Sequence, residues 1–116
     1  MPVGHVKDLK NKVVSSPPAS NSAMKVLVSP KEGWEGYVMR VVEVLEDGYT
    51  PKHKHPWPHI NYMLEGEGEL WIDEVVHHVS GGSYAFVPGN ALHQFRNAGK
   101  GVFKFICIVP EEGHIY

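Results

Sequence analysis

The sequence has one cysteine, Cys107, so no disulfide forms within the chain, and a lone thiol suits a reducing compartment. It has no basic excess. Eleven Lys and Arg stand against thirteen Asp and Glu, a formal charge of −2, which argues against the phosphate-neutralising surface of a nucleic-acid binder. It has no long apolar run: the longest, residues 102–109, is short and carries Lys104, so no membrane span is expected. Met1-Pro2-Val3-Gly4-His5 leads into charged residues, so a secretory signal is not expected and the expected location is cytoplasmic. Helical periodicity is also missing. Twelve Gly and nine Pro interrupt the chain before any i, i+3, i+4 apolar pattern is sustained.

What is present is an ordinary globular composition, 42% apolar and 21% charged over 116 residues, enough for one domain with one core. Short β-branched and aromatic runs lie between the glycines and prolines, at residues 24–28, 36–45, 60–64, 69–72, 75–79, 84–87, 93–96 and 102–109. Short strands at this spacing predict an all-β sandwich or barrel. The Ser- and Pro-rich residues 15–22 read as a linker, dividing the chain into an N-terminal arm and linker at 1–23 and a barrel at 24–116. Asp47-Gly48, Gly81-Gly82 and the alternating Gly66 and Gly68 read as turn signals.

Histidine is the unusual residue: the chain holds eight. Three fall in one run, His53-Lys54-His55-Pro56-Trp57-Pro58-His59. In extended chain, positions i and i+2 share a face, so His53 and His55 point together. Pro56 and Pro58 then force a turn that brings His59 back at the start of the next strand. His93, after the turn signal Pro88-Gly89-Asn90, is a fourth candidate. Imidazoles from several strands converging on one point suit a transition-metal ion, each donating through a neutral ring nitrogen. His5, His77, His78 and His114 lack this pattern and read as surface residues.

These residues resemble the two motifs of the cupin family. Gly48, His53-x-His55, three residues, His59, six residues and Gly66 resemble the first motif; Gly82, five residues, Pro88, then His93, three residues and Asn97 resemble the second. The resemblance implies a double-stranded β-helix, the jelly-roll barrel, with His53, His55, His59 and His93 as metal ligands. The spacer after Gly48 is one residue short, and Asn90 stands where the second motif has Gly; Asn tolerates positive φ better than most residues. His59 stands where the family has Glu. That exchange resembles small single-domain, four-histidine cupins that bind manganese or iron, although imidazole also suits Zn, Ni and Cu. Four neutral donors leave a divalent ion its full formal charge, which favours anionic exogenous ligands.

Strand parity supplies the rest of the pocket. With Lys104 facing water, Phe103, Phe105, Cys107 and Val109 face inward, and Phe95 shares the face of His93, so Phe95 and Phe105 line the expected cavity. Cys107 reads either as a small core residue or as a functional thiol. Arg40 reads either as a surface residue or as an inward cation that orients an anionic substrate or oxyanion. Two function classes follow for a small-molecule substrate. One is a metal-dependent oxygenase or oxidoreductase using Arg40 and Cys107. The other is a metal-dependent isomerase or lyase acting on a sugar or uronate, with Glu43 and Tyr62 as candidate bases. A non-enzymatic binding barrel is a third reading. Met39, Val41, Leu45, Ile106 and Ile108 form a surplus apolar face, which predicts a homodimer with residues 3–14 in its packing.

Overall fold

The computed structural model describes residues 3–9, 12–13 and 20–113, and is all-β with three short 3-10 turns. The strands are β1 (Lys12–Val13), β2 (Ser20–Val28), β3 (Tyr37–Tyr49), β4 (His59–Glu65), β5 (Glu67–Ile72), β6 (Val75–Ser80), β7 (Tyr84–Val87), β8 (His93–Asn97) and β9 (Phe103–Pro110). They pair antiparallel in the order β6-β5-β8-β3-β9-β4-β7, with β2 added to β3 and β1 to β2. This is the nearly closed jelly-roll barrel expected from the motifs. No helix among the described residues is long and apolar enough to cross a membrane.

Alternation decides what lies inside. Along β9, Phe103, Phe105, Cys107 and Val109 are buried, while Lys104 turns out to meet Glu65 at 3.0 Å. Phe105 stacks on Phe95 with ring centroids 4.2 Å apart, and Phe103 packs behind at 5.3 Å from Phe105. Each such ring contributes roughly 1.5–3 kcal/mol by leaving water. Gly68 lies flat against Phe103, where a Cβ would stand 2.5 Å from ring atoms, so the glycine is a packing requirement. Gly66 turns β4 into β5 at φ 85, with the Val102 carbonyl occupying the space a Cβ would need.

The strand readings need three corrections. Asp47-Gly48 is not a turn: β3 continues to Tyr49, and its register with β2 slips between Val44 and Tyr49. Asp47, at φ 64, absorbs the extra residues as a bulge, which its short polar side chain tolerates. Strand β2 begins at Ser20, because Ser22 pairs with Val44 and extends the ladder upstream of Met24. Val41, expected on the surplus outer face, is 4% exposed and so buried within the single chain. Of the N-terminal arm, Val6–Asp8 form a 3-10 turn whose Val6 carbonyl accepts from Lys25 Nζ at 3.0 Å. The arm residues 1–2, 10–11 and 14–19, and His114, lie outside the described residues.

Candidate metal centre

The segment after β3 carries the first two histidines. It stays extended because it pairs with β8: Thr50 N donates to the Phe95 carbonyl at 2.9 Å, and His53 and His93 exchange backbone bonds of 3.1 and 2.9 Å. His53 thereby lies directly across from His93. Two residues on, the His55 carbonyl accepts from Asn90 N at 2.6 Å, clipping this loop to the turn between β7 and β8. Asn90 holds φ 67, the conformation expected of it in place of Gly. Pro56-Trp57-Pro58 then reverses the chain into β4, whose first residue is His59.

All four rings meet. Centroids of His53 and His55, His53 and His93, and His55 and His93 lie 5.0, 4.9 and 4.9 Å apart. The donor atoms of His53, His55 and His93 all fall within 4.8 Å of one another. His59 flanks this trio: its ring is 4.8 Å from that of His93 and 5.6 Å from that of His55. His53 and His55 are half-buried, whereas His59 and His93 are 6% and 3% exposed. His5, His77 and His78 are exposed, on the arm and on β6.

Hydrogen bonding sets the tautomers. His55 Nδ1 meets the Trp57 carbonyl at 2.7 Å and His93 Nδ1 meets the Ala91 carbonyl at 2.9 Å. A carbonyl only accepts, so both Nδ1 atoms carry the proton and both Nε2 atoms carry a lone pair. His59 Nδ1 meets Asn61 Oδ1 at 2.6 Å, while Asn61 Nδ2 donates to the Ile106 carbonyl at 3.4 Å, which gives His59 the same tautomer. His59 Nε2 and His93 Nε2 consequently face each other at 3.1 Å with a lone pair on each and no proton between them. Two acceptors at that separation repel unless a cation lies between them. Adjacent donors about 2.1 Å from one ion stand about 3 Å apart, so the residues fit a bound metal.

Burial also keeps these rings neutral, the state a ligand needs. Desolvation lowers His53, His59 and His93 from the usual 6.5 to about 4, and lowers His55 as well. Desolvation is the largest cause in each. The Arg40 charge adds to it at His53, His55 and His59, while the hydrogen bonds at His55, His59 and His93 and the Asp73 charge at His93 oppose it.

The rings open on a cavity of about 230 Å³ lined by Arg40, Cys107, Phe95 and Phe105 among others. Arg40 on β3 pairs with Cys107 on β9, which pairs with Asn61 on β4, so these inward side chains form one row across three strands. Arg40 Nη2 donates to Cys107 Sγ at 3.7 Å, and the two residues are 8% and 4% exposed. Glu43 and Tyr62 do not line the cavity. Glu43 is on the opposite face of β3 from buried Val42 and Val44, and Tyr62 is 48% exposed, because each has the outward parity of its strand.

Two contributors were not singled out from the sequence. Trp57 stacks on His55, with centroids 4.6 Å apart and planes 8° from parallel. Asn61 is 1% exposed and orients His59. The spacing His59-x-Asn61 on one strand face is the signal that could have found it. Replacing Asn61 with Leu is expected to weaken metal binding about 10- to 100-fold without unfolding the barrel, since the orienting acceptor is lost and the volume kept. Competitive titration against a chromophoric chelator measures this; unchanged affinity would remove Asn61 from the site.

Comparison with known proteins bears on the same region. The family model described as a cupin domain matches residues 40–109. The polyketide cyclase RemF from Streptomyces resistomycificus is similar at 28% identity and a TM-score of 0.89, over 96% of this chain and 80% of that one. A cupin-2 domain protein from Rhodospirillum rubrum is similar at 26% identity and a TM-score of 0.78, over 89% and 68%. A predicted oxalate decarboxylase from Thermotoga maritima shares the fold at 17% identity and a TM-score of 0.84, over 93% and 97%. No curated protein matches.

Proposed function

Because the chain belongs to the cupin family, we propose that it is a metal-dependent enzyme acting on a small organic substrate in the barrel cavity. One observation carries the reading: imidazole lone pairs face each other at 3.1 Å beside a cavity whose described lining residues include no carboxylate. His53, His55, His59 and His93 would hold the ion, Mn or Fe first, with Zn, Ni and Cu also suited to such donors. When bound, the ion supplies Lewis-acid polarisation of a substrate oxygen.

The chemistry we assign is non-redox proton transfer on an enolisable substrate, the kind of step a cyclase needs. Oxidisable Met24, Trp57 and Cys107 line the cavity, a poor lining for reactive oxygen species. The likeness to a polyketide cyclase over nearly the whole chain supports the same choice. In this reading Arg40 stabilises developing negative charge on oxygen, and Cys107, beside it, exchanges the proton. Phe95 and Phe105 keep bulk water off the reacting carbon, while the Cys107 proton equilibrates with solvent between turnovers. The same dry aromatic wall favours oxygenase chemistry as a second reading. The isomerase or lyase reading loses support, since its candidate bases Glu43 and Tyr62 are outside the cavity.

Pyruvate in deuterated water tests the assignment. Protein loaded with Mn is expected to speed exchange of the methyl protons beyond the free ion, without oxygen uptake, and Cys107→Ala is expected to abolish the gain. Oxygen uptake would select the oxygenase reading instead, and neither response would leave a binding barrel.

We also propose a homodimer. On adjoining β4 and β7, Ile60 pairs with Phe86 and Tyr62 with Tyr84, and these outward side chains are 54%, 61%, 48% and 83% exposed. A contiguous apolar sheet face of this kind is what a two-fold contact covers. Light scattering is expected to give twice the 13.0 kDa chain mass, and Phe86→Glu to halve it. A wild-type monomer at micromolar concentration would refute the proposal.

A further inference from the structure

We infer that the substrate is a small organic anion, held at one end by the Arg40 guanidinium and at the other by the histidine centre. The inference rests on the metal-site reading above and adds the substrate's charge and size. Arg40 reaches the cavity from β3 in the row Arg40, Cys107, Asn61, and Asn61 lies two residues along β4 from His59 on the same face. At 8% exposure it delivers a permanent positive charge to a nearly dry surface. Lys54, exposed between His53 and His55, is also among the lining residues, and no Asp or Glu is among the described ones.

The formal charges among these described lining residues are positive before any metal is added, and the Asp73 charge that acts on His93 comes from outside the lining. The remaining walls are largely apolar, with Phe95 and Phe105 stacked on each other and Met24 and Val42 beside them. A neutral ligand gains nothing from this field and a cation is repelled. A carboxylate or enolate with a compact apolar body satisfies both parts of the lining. The planar guanidinium fork matches a carboxylate in particular. Size narrows the class further: about 230 Å³ is below the ~300–1,000 Å³ of drug-sized sites, which suits one ring or a short-chain acid. The influence of the Arg40 charge on His53, His55 and His59 agrees with its position facing the same space.

Benzoate and benzamide test this, being planar and nearly isosteric but differing in charge. Calorimetric titration uses full-length protein stripped of metal on a chelating resin, at low salt, so the readout does not depend on catalysis. Benzoate is expected to bind about tenfold or more tightly than benzamide. Arg40→Gln is expected to abolish that preference, Arg40→Lys to keep only part of it, and Lys54→Gln to weaken benzoate about twofold with the preference retained. Equal binding of the two ligands by wild type overturns the proposal. So does a preference that survives in Arg40→Gln; if that variant does not fold, an undiminished preference in Arg40→Lys overturns the role of Arg40. Metal content of the histidine variants is measured separately. Loss of metal there with no anion preference sinks this inference alone, whereas normal metal content in His93→Ala sinks the metal-site reading instead.

Discussion

His93→Ala is expected to strip the protein of metal while the barrel stays folded. His93 sits at the centre of the cluster, with the rings of His53, His55 and His59 each within 4.9 Å of its own. Loss of a partner that merely orients a ligand costs about 10- to 100-fold in affinity, and loss of the ligand itself exceeds that. The effect on the metal-free fold runs the other way. Removing one ring relieves the facing lone pairs of His59 and His93, which offsets part of the cavity left at a site 3% exposed. The melting temperature of metal-free His93→Ala is therefore expected near that of the metal-free wild type, and the stabilisation on adding metal is expected only in the wild type. Elemental analysis and scanning calorimetry measure both, with His77→Ala and His78→Ala as exposed controls that keep full metal content. Normal loading of His93→Ala would end the metal-site reading. His59→Gln asks the narrower question. Loss of metal there supports four ligands, while full loading would leave His53, His55 and His93 as the complete set.

Acid is expected to destabilise the metal-free protein between pH 6.5 and about 4. Burial lowers His53, His59 and His93 to about 4, whereas the unfolded chain titrates near 6.5. Within that window the unfolded state binds more protons than the folded state, so stability rises with pH. The contribution is fully present above 6.5 and is lost progressively as pH falls toward 4. Each ring adds a slope of at most about 1.4 kcal/mol per pH unit, and less for His53, which water partly screens. Metal removes one proton-accepting site from every ring it binds, so the loaded protein should hold its melting temperature further into acid before releasing metal and unfolding together. Calorimetry across pH 7.5 to 4.5, with and without metal, decides it. A metal-free melting temperature that stays flat through this range would contradict buried neutral rings, as would release of metal near pH 6.5 with the fold intact.

The sequence by itself determined short strands of an all-β sandwich or barrel, and its resemblance to the cupin motifs selected the jelly roll and marked four histidines as neighbours. Alternating apolar runs between glycines and prolines admit only short strands, and the spacing of His53, His55, His59 and His93 about Gly48, Gly66, Gly82 and Pro88 is local information carried in two short segments. The inward parity of Phe103, Phe105, Cys107 and Val109 was legible for the same reason, because one outward lysine sets the phase of a strand. What parity leaves open is a strand apolar on both sides. In β3 both faces can be buried, so only its pairing with β9 placed Arg40 beside Cys107 and turned Glu43 away from the cavity. Register across strands is likewise a tertiary property, and it is what lines up Arg40, Cys107 and Asn61, residues far apart in sequence. Asp47-Gly48 shows the limit in the other direction. Its residues suit positive φ, but whether such a pair makes a turn or a bulge depends on whether a neighbouring strand is there to pair with, and β2 is. The tautomers were out of reach for a similar reason: they are set by carbonyls at Ala91 and Trp57 and by the amide of Asn61, whose positions exist only once the loops have closed.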